Sequence, residues 1–173
     1  VTQNARREVI HDGAVAIEGD RVIAVGTTAD LNDRYDPDRR LDASGTAVIP
    51  GLVNPHTHVS DILLRGSCGT DRGLYDWLFN VKQPGIARMT AEEHELAAAL
   101  YCAEALSAGV TTFVENDAEM LLGETDAMTA KFDAYEAAGL RSVYARGIRD
   151  LPVDDDFQGL VDRVAGRDPP VEH

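Results

Sequence analysis

Lysine is nearly absent from this chain: of sixteen basic residues in 173, only Lys82 and Lys131 are lysines. Cysteine is equally scarce. Cys68 and Cys102 stand far apart and in no CxxC pattern, which excludes a disulfide framework and a cysteine-built structural zinc site. No apolar run approaches the ~20 residues that a bilayer-spanning helix needs, and no charged-then-apolar leader opens the chain. A soluble cytoplasmic protein is the expectation. Positive charge is outweighed, with 30 Asp and Glu against 16 Lys and Arg and a formal net charge of −14. Such a surface repels nucleic-acid phosphates and anionic lipids, so neither nucleic acid nor membrane is an expected partner. The acids are dispersed among apolar residues. With so little lysine, that is the balance expected of a protein working in high salt, where self-repulsion is screened. An ordinary acidic cytosolic protein is the alternative.

What is present is a globular composition, 44% hydrophobic and 27% charged, in a chain long enough to bury a core. The chain opens on Val1 and closes through the polar stretch Arg167-Asp168-Pro169-Pro170, so both ends are expected to be interior points of a longer polypeptide.

Residues 1–46 carry β patterning. Ala14–Ile17 and Arg21–Val25 are short apolar runs around Glu18-Gly19-Asp20, a hairpin signal that reads as part of a small β domain. From Ala47 to the end the rhythm changes. Ala47–Val53 reads as a buried strand leading into Asn54-Pro55-His56-Thr57-His58. A helix is expected from an N-cap at Thr90 to about Ser107, with Leu96, Leu100 and Ala103 on one face. Gly109 ends it and Val110–Val114 follows as a strand. The sentence repeats with a helix over Ala127–Ala138, Gly139, and a strand over Leu140–Ala145. After a loop at Pro152–Asp156, a third helix is expected over Phe157–Val164. This is the βα repeat of a parallel sheet or barrel, of which 173 residues hold only a part.

His56 and His58 lie two apart at a strand end, where alternation puts both imidazoles on one face, able to meet one ion. Strand C-termini form the active face of a βα barrel. Neutral imidazole suits zinc, and also iron or manganese. Two polar residues merely capping a strand are the alternative.

The stretch from Ile49 to His58 resembles the amidohydrolase superfamily. Leu63–Gly66, Tyr75–Phe79, Ala108–Phe113 and Ala145–Gly147 resemble its aminohydrolase and chlorohydrolase branch, and residues 11–26 its small β-sandwich domain. The resemblance implies an α/β fold: the first three βα units of an incomplete (β/α)8 TIM-type barrel over 47–173, preceded by part of a β-sandwich over 1–46. It implies that His56 and His58 ligate the metal, with the remaining ligands on later strands. A zinc-activated hydroxide would then hydrolyse a C–N or C–Cl bond on a small heterocyclic substrate. Asn54 stands where the two-metal branches place Asp, which favours one metal. Arg146 matches a substrate-contacting arginine, and Trp77 is a candidate for the pocket entrance. Ile86 replaces a glutamate that holds ribose hydroxyls, and an isoleucine accepts no such hydrogen bond.

Several residues have plainer readings. His11, His94 and His173 are expected to be solvated rather than ligating. Glu115, Asn116 and Asp117 are expected to follow the second strand, on the histidine rim or as solvated loop. Asp61 and Arg65 are expected to pair near the mouth or to cap a turn. Alone, the chain is expected to be inactive and to associate, as a homo-oligomer or with the remainder of its own polypeptide. Two rivals stand: a non-catalytic partial barrel stable only in an oligomer, and a cyclic amidase of the dihydroorotase and hydantoinase type.

Overall fold

The computed structural model describes residues 1–69, 71–117 and 125–147. They fall into two compact units that divide between Pro50 and Gly51. The expected loop at 152–156 and helix at 157–164 lie outside the described residues, as does His173.

In the first unit, β1 (Gly13–Glu18) and β2 (Arg21–Thr27) form the expected antiparallel hairpin, closing from Glu18 to Arg21 around Gly19 and Asp20. A helix that the apolar pattern does not signal follows directly, α1 (Thr28–Arg34). Its start is written in polar residues instead. The Thr27 hydroxyl accepts from the Asp30 backbone N–H and donates to the Asp30 carboxylate, so one residue both ends the strand and caps the helix. Leu31 is its buried anchor.

The second unit is a three-stranded parallel sheet, β3 (Leu52–Thr57), β4 (Val110–Asp117) and β5 (Arg141–Arg146), in that order. Its helices are α2 (Leu74–Trp77), α3 (Gln83–Ile86), α4 (Ala91–Ser107) and α5 (Thr125–Ala138). A 3-10 turn at Val59–Leu64 and a π-helical stretch at Leu78–Lys82 join them. The first strand starts later than expected and is not buried. Val48 and Ile49 lie outside it, and Leu52 and Val53 are 48% and 62% exposed. Among the described residues β3 pairs only with β4, so it is an edge strand whose apolar residues are not covered.

The helix α4 begins as its sequence dictates. Thr90 Oγ1 accepts the Glu93 N–H while the Glu93 carboxylate accepts the Thr90 N–H, a reciprocal capping box. Thr90→Ala is expected to cost about 1 kcal/mol, read as a drop in the urea midpoint at unchanged slope. Its buried face differs from the expected one. His94, Ala97, Ala98, Cys102 and Ala105 are buried, whereas Leu96, Leu100 and Ala103 face outward. The reason is steric: α4 lies against both β4 and α5, and small side chains permit that approach where leucines would not. Gly109 and Gly139 follow α4 and α5 at φ +80° and +68°, the left-handed conformation that ends a helix without Cβ strain.

Both helices cover one face of the sheet. Phe113 is wholly buried there between Tyr101 of α4 and Tyr135 of α5, at ring-centroid distances of 4.9 and 5.0 Å. Strand alternation then assigns the rest of β4. Phe113, Glu115 and Asp117 point into the helix layer, while Val114 and Asn116 point to the opposite face.

Candidate metal centre

The two histidines are presented by an irregular strand end. Asn54 pairs with Phe113 and Thr57 with Glu115, so three steps along β3 match two along β4. The extra residue falls at Pro55-His56, where a proline has no N–H to lose. Asn54 secures this bulge: its Oδ1 accepts the His56 N–H at 3.3 Å and its Nδ2 donates to the Tyr101 hydroxyl at 3.0 Å. The exposed His56 and half-buried His58 consequently meet edge to face, ring centroids 5.0 Å apart and planes at 87°.

One residue of the next strand serves both rings. The Asn116 carbonyl oxygen lies 2.5 Å from His58 Nδ1, and the Asn116 side-chain amide lies 2.9 Å from His56 Nδ1. A carbonyl only accepts, so His58 carries its proton on Nδ1 and its Nε2 lone pair is the one available to an ion. Two imidazoles, close together and both engaged at Nδ1, are the type of side chain that a borderline divalent cation takes as ligands. Among the described residues no cluster of three or more His, Cys, Asp or Glu is placed to hold a metal.

Around it several expectations are revised. His94 is buried, not solvated: it sits in the first turn of α4 and shares a 2.9 Å hydrogen bond with the Ser60 hydroxyl. His11 is exposed. Asp61 does not pair with Arg65. It holds buried Lys82 at 2.8 Å, while Arg65 makes a two-pronged contact with Glu104 across to α4, at 2.9 and 3.0 Å. Buried Lys82 has no water to solvate its ammonium and so requires the carboxylate. Glu115, Asn116 and Asp117 are strand residues rather than loop, and parity separates them. Glu115 and Asp117 turn away from the histidines and ion-pair with buried Lys131 at 3.0 and 3.2 Å, and the Tyr135 hydroxyl donates to Glu115. Burial pushes the Glu115 carboxyl above the usual carboxylate range, a rise opposed by the Lys131 ammonium and the Tyr135 hydroxyl.

Trp77 is half-buried at the end of α2, with the Lys82 ammonium 5.6 Å from its ring centroid. Trp77 and His58 both line an open cavity of ≈ 770 Å³. Arg146 is exposed at the end of β5, in register with Asp117, which by alternation puts it on the helix side of the sheet. Ile86 is 2% exposed and belongs to the packing.

Asn116 and Lys82 were not singled out for these roles by the pattern of residues. Counting by twos from Phe113 places Asn116 opposite the core. The rarity of lysine was the only mark on Lys82, and the structure buries both lysines.

The profile of the amidohydrolase family matches residues 47–168. The chain belongs to the amidohydrolase family. That of a bacterial imidazolonepropionase-like composite domain matches residues 13–36, spanning the hairpin and α1. The chain is 38% identical over 152 residues to a 5-methylthioadenosine/S-adenosylhomocysteine deaminase of Nitratidesulfovibrio vulgaris, covering 88% of this chain and 32% of the relative. It is 31% identical over 150 residues to the enzyme of that name from Carboxydothermus hydrogenoformans, covering 87% and 32%. A crystal structure of an adenosine deaminase from Xanthomonas campestris with bound zinc superposes with a TM-score of 0.69 at 31% identity, over 79% of this chain and 29% of that one. The chain thus spans about a third of the length of the curated relatives it matches. Among the described residues no helix is long and apolar enough to cross a membrane.

Proposed function

We propose that the full-length protein is a metal-dependent amidohydrolase that exchanges an amino group on a heterocycle for water oxygen, releasing ammonia. The observation that carries this reading is the imidazole pair on one strand end with both Nδ1 atoms engaged by Asn116. The family and the deaminase names of the relatives favour C–N cleavage over the other chemistries of the superfamily. His56 and His58 hold zinc through Nε2, with iron or manganese as the substitutes imidazole also accepts. When bound, the ion lowers the pKa of a water toward 7, so that it serves as nucleophile at neutral pH. Asn54 and Asn116 keep the two rings together, and later parts of the same polypeptide supply the remaining ligands and the proton-transfer groups.

The sheet itself supports a barrel. Parallel sheets are covered on both faces, yet here the helices cover one and Val53 and Val143 stand 62% and 55% exposed. In this reading β3, β4 and β5 are the first strands of a (β/α)8 barrel that the rest of the polypeptide closes, and residues 1–46 belong to a β-sandwich.

The substrate is a small amino-heterocycle, with Trp77 at the pocket entrance as its contact; Arg146, on the helix side of β5, does not share the face of the histidines. Ile86 is buried and offers no acceptor to a ribose diol, so free bases are expected to be turned over at least as well as their nucleosides. Ammonia release from paired aminopurines and aminopyrimidines checks this, and a nucleoside preference above about 100-fold overturns the substrate assignment. Because Arg146 lies on the helix side of the sheet, Arg146→Ala is expected to leave KM and kcat little changed. Chelation is expected to remove ammonia release entirely and added zinc to restore it. A metal-free protein with an undiminished rate refutes the activity.

A further inference from the structure

We propose that Asn116 is the positioning residue that sets the tautomer of His56 and so decides whether that ring ligates metal at all. The inference rests on the metal-site reading above. The two histidines differ in how their protons are placed. His58 faces a backbone carbonyl, which accepts and never donates, so its Nδ1 must carry the proton. His56 faces a side-chain amide at 2.9 Å, whose two ends have opposite roles. With the amide nitrogen toward Nδ1, the neutral ring carries its proton on Nε2 and has no lone pair there for an ion. A half-turn about the terminal bond of Asn116 brings Oδ1 to the same place. It then accepts Nδ1–H and leaves Nε2 bare, the arrangement His58 already has.

The surroundings make Asn116 the residue for this role. Alternation sends Glu115 and Asp117, its acidic neighbours on β4, into the helix layer, where Lys131 holds both. No carboxylate of that strand end is left to face His56. With Oδ1 turned toward the ring, the amide is a neutral acceptor. It permits ligation without adding a charge to the site.

Zinc affinity of the full-length protein, measured by competition with a chromophoric chelator at about pH 8, tests the proposal without using activity. Asn116→Leu, with the same branching and number of side-chain heavy atoms but without an acceptor, is expected to weaken zinc by about 10- to 100-fold. Asn116→Asp, which only accepts, is expected to bind zinc at least as tightly as the native protein. His56→Ala and His58→Ala calibrate the assay. If both bind zinc as the native protein does, the metal site itself is refuted. If both lose zinc while Asn116→Leu keeps it, the metal site stands and the role of Asn116 falls. If Asn116→Asp falls together with Asn116→Leu, the effect comes from packing and the proposal is likewise overturned. Circular dichroism melting of each variant separates loss of fold from loss of affinity, because the His58 bond to the Asn116 backbone survives any side-chain change.

Discussion

His58→Ala in the full-length protein is expected to reduce ammonia release to background and to weaken zinc by more than the roughly 100-fold that loss of an outer-shell partner costs. His58 is the better-braced of the two rings, half-buried and tied through Nδ1 to the backbone of β4, so its Nε2 is held in place before any ion arrives. Removing it deletes a ligand and also the cross-strand link from the end of β3 to the end of β4. His56→Ala is expected to have the same sign. The other histidines provide the contrast. His94→Gln disturbs a buried hydrogen bond to Ser60 and is expected to lower the melting temperature while leaving metal content intact. His11→Ala touches only the exposed surface of the first unit and is expected to change neither. Metal analysis of the four purified variants reads the pattern directly. Retention of metal by both His56→Ala and His58→Ala would refute the site.

Lys131→Met carries the largest expected stability loss, about 3–5 kcal/mol at neutral pH, because it leaves two buried carboxylates without their shared counter-ion. Lys131 is fully buried and bridges α5 to two positions of β4, so no water replaces it. The loss is expected to depend on pH with a definite sign. Burial already raises the Glu115 carboxyl above its usual range, so the folded protein holds that proton more tightly than the unfolded chain does. Glu115 therefore adds to stability as the pH falls through its folded-state pKa, and that contribution is lost as the pH rises. Without the Lys131 ammonium the carboxyl rises further. The gap between variant and native protein is then widest at neutral pH and narrows as the pH is lowered toward about 4. Urea midpoints of both proteins across that range read the effect, and a pH-independent gap would mean that Lys131 acts through packing alone.

Much of the frame was legible in residue order because local rules govern it. The hairpin at 13–27, the capped start of α4 at Thr90, the glycines at 109 and 139 and the alternation of strand and helix all follow from turn chemistry, capping and backbone freedom. The spacing of His56 and His58 marked a candidate site for a related reason: two residues at a strand end share a face whatever lies elsewhere. The helix α1 escaped because its signal is one capping threonine rather than an apolar stripe.

Other features answered to distance rather than to order. The inner face of α4 is made of alanines and a cysteine, not leucines, because two neighbours crowd that side. Asp61 chose Lys82 over Arg65 because Lys82 is buried and cannot go unpaired, whereas Arg65 reaches solvent and Glu104. The run Glu115-Asn116-Asp117 looked like three equivalent polar residues. A parallel strand divides them, two to a lysine inside the helix layer and one to the imidazoles. Sequence by itself determined the hairpin, the alternation of strand and helix from β3 to β5, and the two histidines that share a strand end, since capping, turn conformation and strand period act over a few residues. Only the tertiary structure decided which polar groups face one another, because burial and pairing depend on chain segments dozens of residues apart: His56 and Asn116 are 60 residues apart and Asn54 and Tyr101 are 47 apart.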